Sequence, residues 1–263
     1  MSMFDNRFLL FVGVVAAAGA LVVPAGALAQ TDKPAIVLVH GAFADASAWA
    51  EVIPALQRAG HHVVGVQNPL RSFEDDVATT KRVIEAQKGP VIAVGHSYGG
   101  AVITAAASGS KKVTALVYVT AFAPEANEAI GALYEKEGKP ELLGALVPDE
   151  TGLVTIDRAR FRELFAGDVS PAQAAVMAAT QKPIAANNFK GMVVVPAWKT
   201  IPSWYLIAKS DRAITPSLQE FMAKRIDAKI GTVNASHVPF ASKPKDVASF
   251  ILKAAAATVS ASR

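Results

Sequence analysis

The segment Gly95-His96-Ser97-Tyr98-Gly99 sets a serine between two glycines. It follows the apolar run Val91-Ile92-Ala93-Val94 and precedes Gly100-Ala101-Val102-Ile103-Thr104-Ala105-Ala106. The pattern reads as a buried strand, a tight turn and a helix start, the context that gives G-x-S-x-G its meaning. Small neighbours let chain and substrate approach the serine. The helix start aims backbone N–H groups at negative charge developing beside it. A serine hydroxyl is a poor nucleophile without a base. That base is normally a histidine oriented by a carboxylate.

Five histidines are present. His40 ends the first apolar run, and His61 and His62 sit at a turn into a strand. His96 adjoins the serine in the turn, so its ring is expected to point away and to pack structurally. His237 remains, in the loop Asn234-Ala235-Ser236-His237-Val238-Pro239 between the last strand and the last helix. The acid is expected in the loop after the preceding strand, and Asp211 stands there in Lys209-Ser210-Asp211-Arg212. Asp227 lies between a helix and a strand, at the wrong end of a parallel sheet, and Asp246 reads as first-turn helix charge. For the oxyanion, a backbone N–H after Gly41 and the N–H of Tyr98 are the candidate donors.

These residues must be held by a scaffold. Apolar runs at 35–39, 62–66, 91–94, 113–119, 204–208 and 230–233 read as six strands. Helices are expected at 48–59, after the Ser72 capping box through Gln87, behind the serine, from Thr215-Pro216 to Arg225, and from Phe240 to Ala257. Alternation of this kind implies an α/β fold, a mostly parallel central sheet with helices on both faces. Residues from about 122 to 198 break it, with several prolines and helical patches. They read as a helical cap insertion over the carboxyl end of the sheet, where ligands bind in such folds. Phe122, Leu133, Tyr134, Phe161, Phe165, Met177, Phe189 and Trp198 are candidates for a substrate lining there, with Phe43 from the first loop. Such a lining suits small to medium apolar or aromatic compounds.

The 263 residues are 52% hydrophobic, enough for one domain with a sizeable core. The net charge of +4 comes from scattered Lys and Arg, which argues against a nucleic-acid surface. With no cysteine, disulfides, thiolate catalysis and Cys-ligated zinc are excluded. The N-terminus has the plan of a secretory signal: a short polar start with Arg7, the apolar run Phe8 to Val23, and the Ala27-Leu28-Ala29 site before Gln30. The run is shorter than the roughly 20 residues of a membrane span. The expectation is a signal peptide at 1–29 and a mature domain at 30–263, exported to the periplasm or beyond, with no stable membrane insertion.

Val39-His40-Gly41-Ala42, Trp49, Gly95 to Gly100, Asp211 and His237 together resemble the α/β-hydrolase family, in the branch of small carboxylesterases, plant methylesterases and hydroxynitrile lyases. The resemblance implies Ser97 as nucleophile, Asp211 as acid, His237 as base, and the Ala42 and Tyr98 N–H groups as the oxyanion hole. It implies an eight-stranded sheet, two strands more than the sequence offers outside the cap. It also implies cleavage of a small-molecule ester through an acyl-serine, with no metal or cofactor. The lyases of that branch carry a threonine after the strand-end histidine and a lysine after the catalytic one. Gly41 and Val238 occupy those places, which favours hydrolysis. A lactonase, a C–C bond hydrolase, an amidase or a non-catalytic ligand-binding protein are the alternatives on this scaffold.

Overall fold

The computed structural model describes residues 33–261. The expected signal segment, 1–29, lies outside them. Six strands form the central sheet: β1 (Ala35–Val39), β2 (Val63–Val66), β3 (Val91–His96), β4 (Val113–Val119), β8 (Ser203–Ala208) and β9 (Lys229–Val233). Their spatial order is β2-β1-β3-β4-β8-β9, and every pair is parallel. The inner strands β1 and β3 are buried along their whole length, as their mostly apolar runs require. The edge strands β2 and β9 are more exposed and carry Gly65 and Gly231, Lys229 and Thr232.

Helices cover both faces. On one, α1 (Ile53–Arg58) meets α8 (Pro244–Ala261); on the other, α2 (Phe73–Glu85) lies beside α3 (Tyr98–Ala106). Ser72 caps α2 through the Asp75 N–H. Thr215 caps α6 (Pro216–Arg225) through the Leu218 N–H, with Pro216 at the first turn. Two expected helices are each split. A 3₁₀ turn at Ala46–Trp49 precedes α1, where Pro54 occupies the first turn. At the other end, α7 (Pro239–Ser242) is separated from α8 by Lys243, because Pro244 restricts the residue before it.

Two expectations need correction. Among the described residues the central sheet has six strands, not the eight implied by the family resemblance. Nor is the insertion purely helical. It contains α4 (Arg158–Phe165) and α5 (Pro171–Ala179), but also β5 (Leu146–Pro148), β6 (Leu153–Ile156) and β7 (Ile184–Ala185) in a separate antiparallel sheet. The β5–β6 turn is closed by Asp149, whose Oδ1 accepts the N–H groups of Thr151 and Leu153. The chain leaves β1 toward β2 on one side and returns as β3 on the other. The crevice where this reversal happens, at the carboxyl ends of β1 and β3, is where the site forms.

Candidate active site

Ser97 occupies the turn between β3 and α3 with φ 52° and ψ −124°, a left-handed conformation that a non-glycine residue adopts only under constraint. The turn is tight enough to exclude side chains around it. A Cβ on Gly99 would lie 2.6 Å from the Val39 carbonyl oxygen, and one on Gly41 would lie 2.7 Å from the Ser97 Cβ. Both glycines therefore serve close approach between the β1 loop and the serine turn.

His237, on the loop between β9 and α7, brings Nε2 to 2.8 Å from Ser97 Oγ. Its Nδ1 lies 2.7 Å from Asp211 Oδ2. A carboxylate only accepts, so Nδ1 carries the proton and the bare Nε2 accepts from the serine hydroxyl. All three side chains are buried. Asp211 follows β8 and is held by its own loop: Oδ1 accepts the N–H of Ala213 at 2.7 Å and of Ile214 at 3.0 Å. The chain places Asp227 at the end of α6, away from this row, and Asp246 in the first turn of α8.

The backbone N–H groups of Ala42 and Tyr98 have no hydrogen-bond partner among the described residues. Their loops flank Ser97, so they are free to bind an anion there. The Ala42 loop is braced by His40. Its Nδ1–H donates to the Gly41 carbonyl at 2.8 Å and its Nε2 accepts the Asn68 N–H at 3.1 Å. Burial pushes the His40 pKa down to about 4, so the ring is neutral and can play both parts. The Tyr98 hydroxyl donates to Asp76 Oδ2 at 2.7 Å and accepts from Asn188 Nδ2 at 2.9 Å, tying the turn to α2 and to the cap.

Two partners were not legible as site residues. His96 is packed as expected, but its Nε2–H also donates to the His237 carbonyl at 2.8 Å, and its ring lies 4.7 Å from that of His237. Burial holds its pKa well below the ordinary histidine value, keeping it neutral. Gln219, on α6, donates from Nε2 to Asp211 Oδ2 at 2.8 Å. A polar residue inside the buried stripe Leu218, Met222, Ala223 was the available signal for it.

A cavity of about 270 Å³ lies between the loop after β1 and the cap, one wall of it the Phe165 ring that meets His237; no triad side chain lines it. Phe43, Phe161, Phe165, Met177 and Phe240 line it. Phe165 reaches both sides, edge-on to Phe43 at 6.1 Å and 4.9 Å from the His237 ring. Asp45 and Glu51 stand among the lining residues, with no Lys, Arg or His there among the described residues. The other lining candidates do not border this cavity. Phe122 packs edge-on against Tyr134, and Leu133 is buried. Phe189 meets the Tyr98 ring, and Trp198 donates from Nε1 to the Pro124 carbonyl. Phe122 and Tyr134 nevertheless stay near the triad: the Phe122 N–H donates to the Ser97 carbonyl, and Tyr134 feels the Asp211 charge.

Residues 36–250 match the model of the alpha/beta hydrolase family, and the chain belongs to that family. It is 27% identical over 246 residues to a pyrethroid hydrolase of Sphingobium wenxiniae, covering 82% of this chain and 85% of the relative. It is 26% identical over 253 residues to methylesterase 9 of Arabidopsis thaliana, covering 83% and 97%. Its fold is similar to that of an extracellular alpha/beta-hydrolase from a Paenibacillus species, with a TM-score of 0.74 at 22% identity over 84% of this chain and 98% of the other.

Proposed function

We propose that the protein is an exported carboxylesterase that cleaves small to medium apolar or aromatic esters. The row Ser97–His237–Asp211 carries this reading, with its two hydrogen bonds of 2.8 Å and 2.7 Å in a buried setting. The relatives named as a pyrethroid hydrolase and a methylesterase support ester hydrolysis. The aromatic cavity walled by Phe165, whose ring meets His237, supports the substrate class.

Ser97 Oγ attacks the ester carbonyl carbon and its proton passes to His237 Nε2. Asp211 holds the neutral ring with its proton on Nδ1 and then stabilises the imidazolium that forms. The former carbonyl oxygen, now an anion, lies against the Ala42 and Tyr98 N–H groups. The C–O bond to the alcohol breaks as His237 returns the proton to the leaving oxygen. Water then enters, gives its proton to His237 and attacks the acyl carbon. Collapse releases the acid and restores the serine hydroxyl. Asp45 and Glu51 at the cavity, with no basic residue lining it among the described residues, favour neutral or cationic esters over carboxylate-bearing ones.

The experiment is labelling with a fluorophosphonate probe alongside turnover of esters graded in acyl length. Wild type is expected to be labelled at Ser97 and to turn over short and aromatic esters. Ser97→Ala is expected to fold, escape labelling and lose roughly three or more orders of magnitude in rate. A folded Ser97→Ala protein with near-wild-type turnover would sink the reading.

A further inference from the structure

Asp211 Oδ2 is shared by two donors. His237 Nδ1–H reaches it at 2.7 Å, and the Gln219 side-chain amide reaches it at 2.8 Å. Gln219 is completely buried, and every polar atom of its side chain is engaged. The same amide nitrogen donates to the Ile214 carbonyl at 2.7 Å, while Oε1 accepts the Ala208 N–H at 3.0 Å. Ala208 ends β8, and Ile214 closes the loop that carries Asp211. One amide therefore ties the end of the strand, the loop and the carboxylate to a helix. Its two donor directions and one acceptor are fixed by the backbone groups they meet, so the amide cannot flip without losing them.

We propose that Gln219 is a positioning residue of the triad: it fixes the rotamer of Asp211 and draws charge from the oxygen that faces His237. This rests on the esterase reading of the same site. The amide is a neutral donor. It lowers the electron density that Oδ2 offers to the imidazole and so limits how strongly Asp211 holds the proton on His237. Without that donor the carboxylate pulls harder on the imidazolium and its rotamer is less firmly held.

The other groups around the pair are accounted for. His96 packs against the His237 ring and is neutral through burial. Tyr134 and Tyr205, which feel the Asp211 charge, are kept protonated by burial. Arg212 points outward to Glu141 and Glu163. Asp168 is engaged by the Ser236 hydroxyl. Gln219 is the α6 side chain that hydrogen-bonds to the Asp211 carboxylate.

The test compares Gln219→Met and Gln219→Glu with Thr215→Ala. Met removes the donor at similar volume. Glu keeps an oxygen for the Ala208 N–H and adds an acidic group beside Asp211. Thr215→Ala weakens the same helix through its cap, without touching the triad. Three readouts are taken: thermal midpoint, the pH profile of kcat/KM for an aryl acetate, and the downfield proton NMR signal of His237 Nδ1–H. Both Gln219 variants are expected to move the acidic limb upward by about half a pH unit or more. kcat is expected to fall about tenfold or more with KM within about twofold, and the downfield signal to shift. Thr215→Ala is expected to lower the thermal midpoint and leave limb and signal in place. An unmoved limb and signal in a folded Gln219→Met or Gln219→Glu protein overturns the proposal, as does a kcat loss that only follows the thermal midpoint. The NMR signal needs no turnover. A wild type that hydrolyses no ester but shows the Gln219-dependent shift would therefore count against the esterase reading, not against the role of Gln219.

Discussion

His40 shows how a single side chain near the site sets a property of the whole protein. Its ring must remain neutral to donate at one nitrogen and accept at the other. In the unfolded chain it takes up a proton near pH 6.5; in the folded protein it resists until about pH 4. The contribution to stability is complete above 6.5 and is lost as pH falls through that window, to a total of about 3 kcal/mol. Buried His96, also held neutral, acts in the same direction. Asp76, whose pKa burial raises, acts in the opposite direction, because the folded protein takes up its proton first on acidification. Denaturant midpoints measured from pH 7.5 to 4.5 are expected to fall steeply, and less steeply in His40→Gln, whose amide still offers one donor and one acceptor. Parallel slopes in the two proteins would contradict this. At this scale Ser97, His237 and Asp211 were readable because a reacting serine demands those residue types at strand ends. Gln219 and the bonding role of His96 were not, because a hydrogen bond made inside a core leaves no spacing signature.

The elements divide by how local their causes are. Strands β1, β3 and β4 are mostly apolar runs, broken only by Gly95-His96 at the end of β3 and Thr114 in β4, and their burial in a parallel sheet follows largely from composition. The cap is different. Its β5–β6 hairpin buries Val154 and Ile156 alternately, but Leu153-Val154-Thr155-Ile156 carries no alternation of apolar and polar types, and each strand is short. Which cap rings face the cavity depends on how those short elements fold back, so Phe161 and Phe165 were indistinguishable in advance from Phe122 and Trp198. The charge of the lining gives the cap and the β1 loop a testable bias. Among aryl esters matched in size, kcat/KM is expected to be lowest for the one bearing a carboxylate. Glu51→Lys is expected to narrow the gap by up to about fivefold at low salt, and by less as salt screens it. Equal kcat/KM across the charge series would remove the bias from the proposal.

For the molecule as a whole, the described residues form a hydrolase-fold domain in which no helix is long and apolar enough to cross a membrane. The proposed export rests on the sequence before it, Phe8 to Val23 and Ala27-Leu28-Ala29. Intact-mass measurement of protein recovered from the envelope or medium of an expressing bacterium is expected to give a chain beginning at Gln30. Recovery of the full-length chain in the membrane fraction would refute it. The family resemblance implied eight strands; the runs read from the hydrophobic pattern number six, as does the central sheet among the described residues. Six runs were readable because a buried parallel strand needs an unusually apolar stretch.

The φ of 52° at Ser97 has a consequence for protein engineering. Glycine would relax that backbone at no steric cost, and alanine would not. Ser97→Gly is therefore expected to melt above Ser97→Ala, by a margin on the order of 1 kcal/mol, while both are inactive. Directed evolution for heat resistance alone would drift toward discarding the nucleophile. Any campaign to harden this protein has to score turnover and melting together.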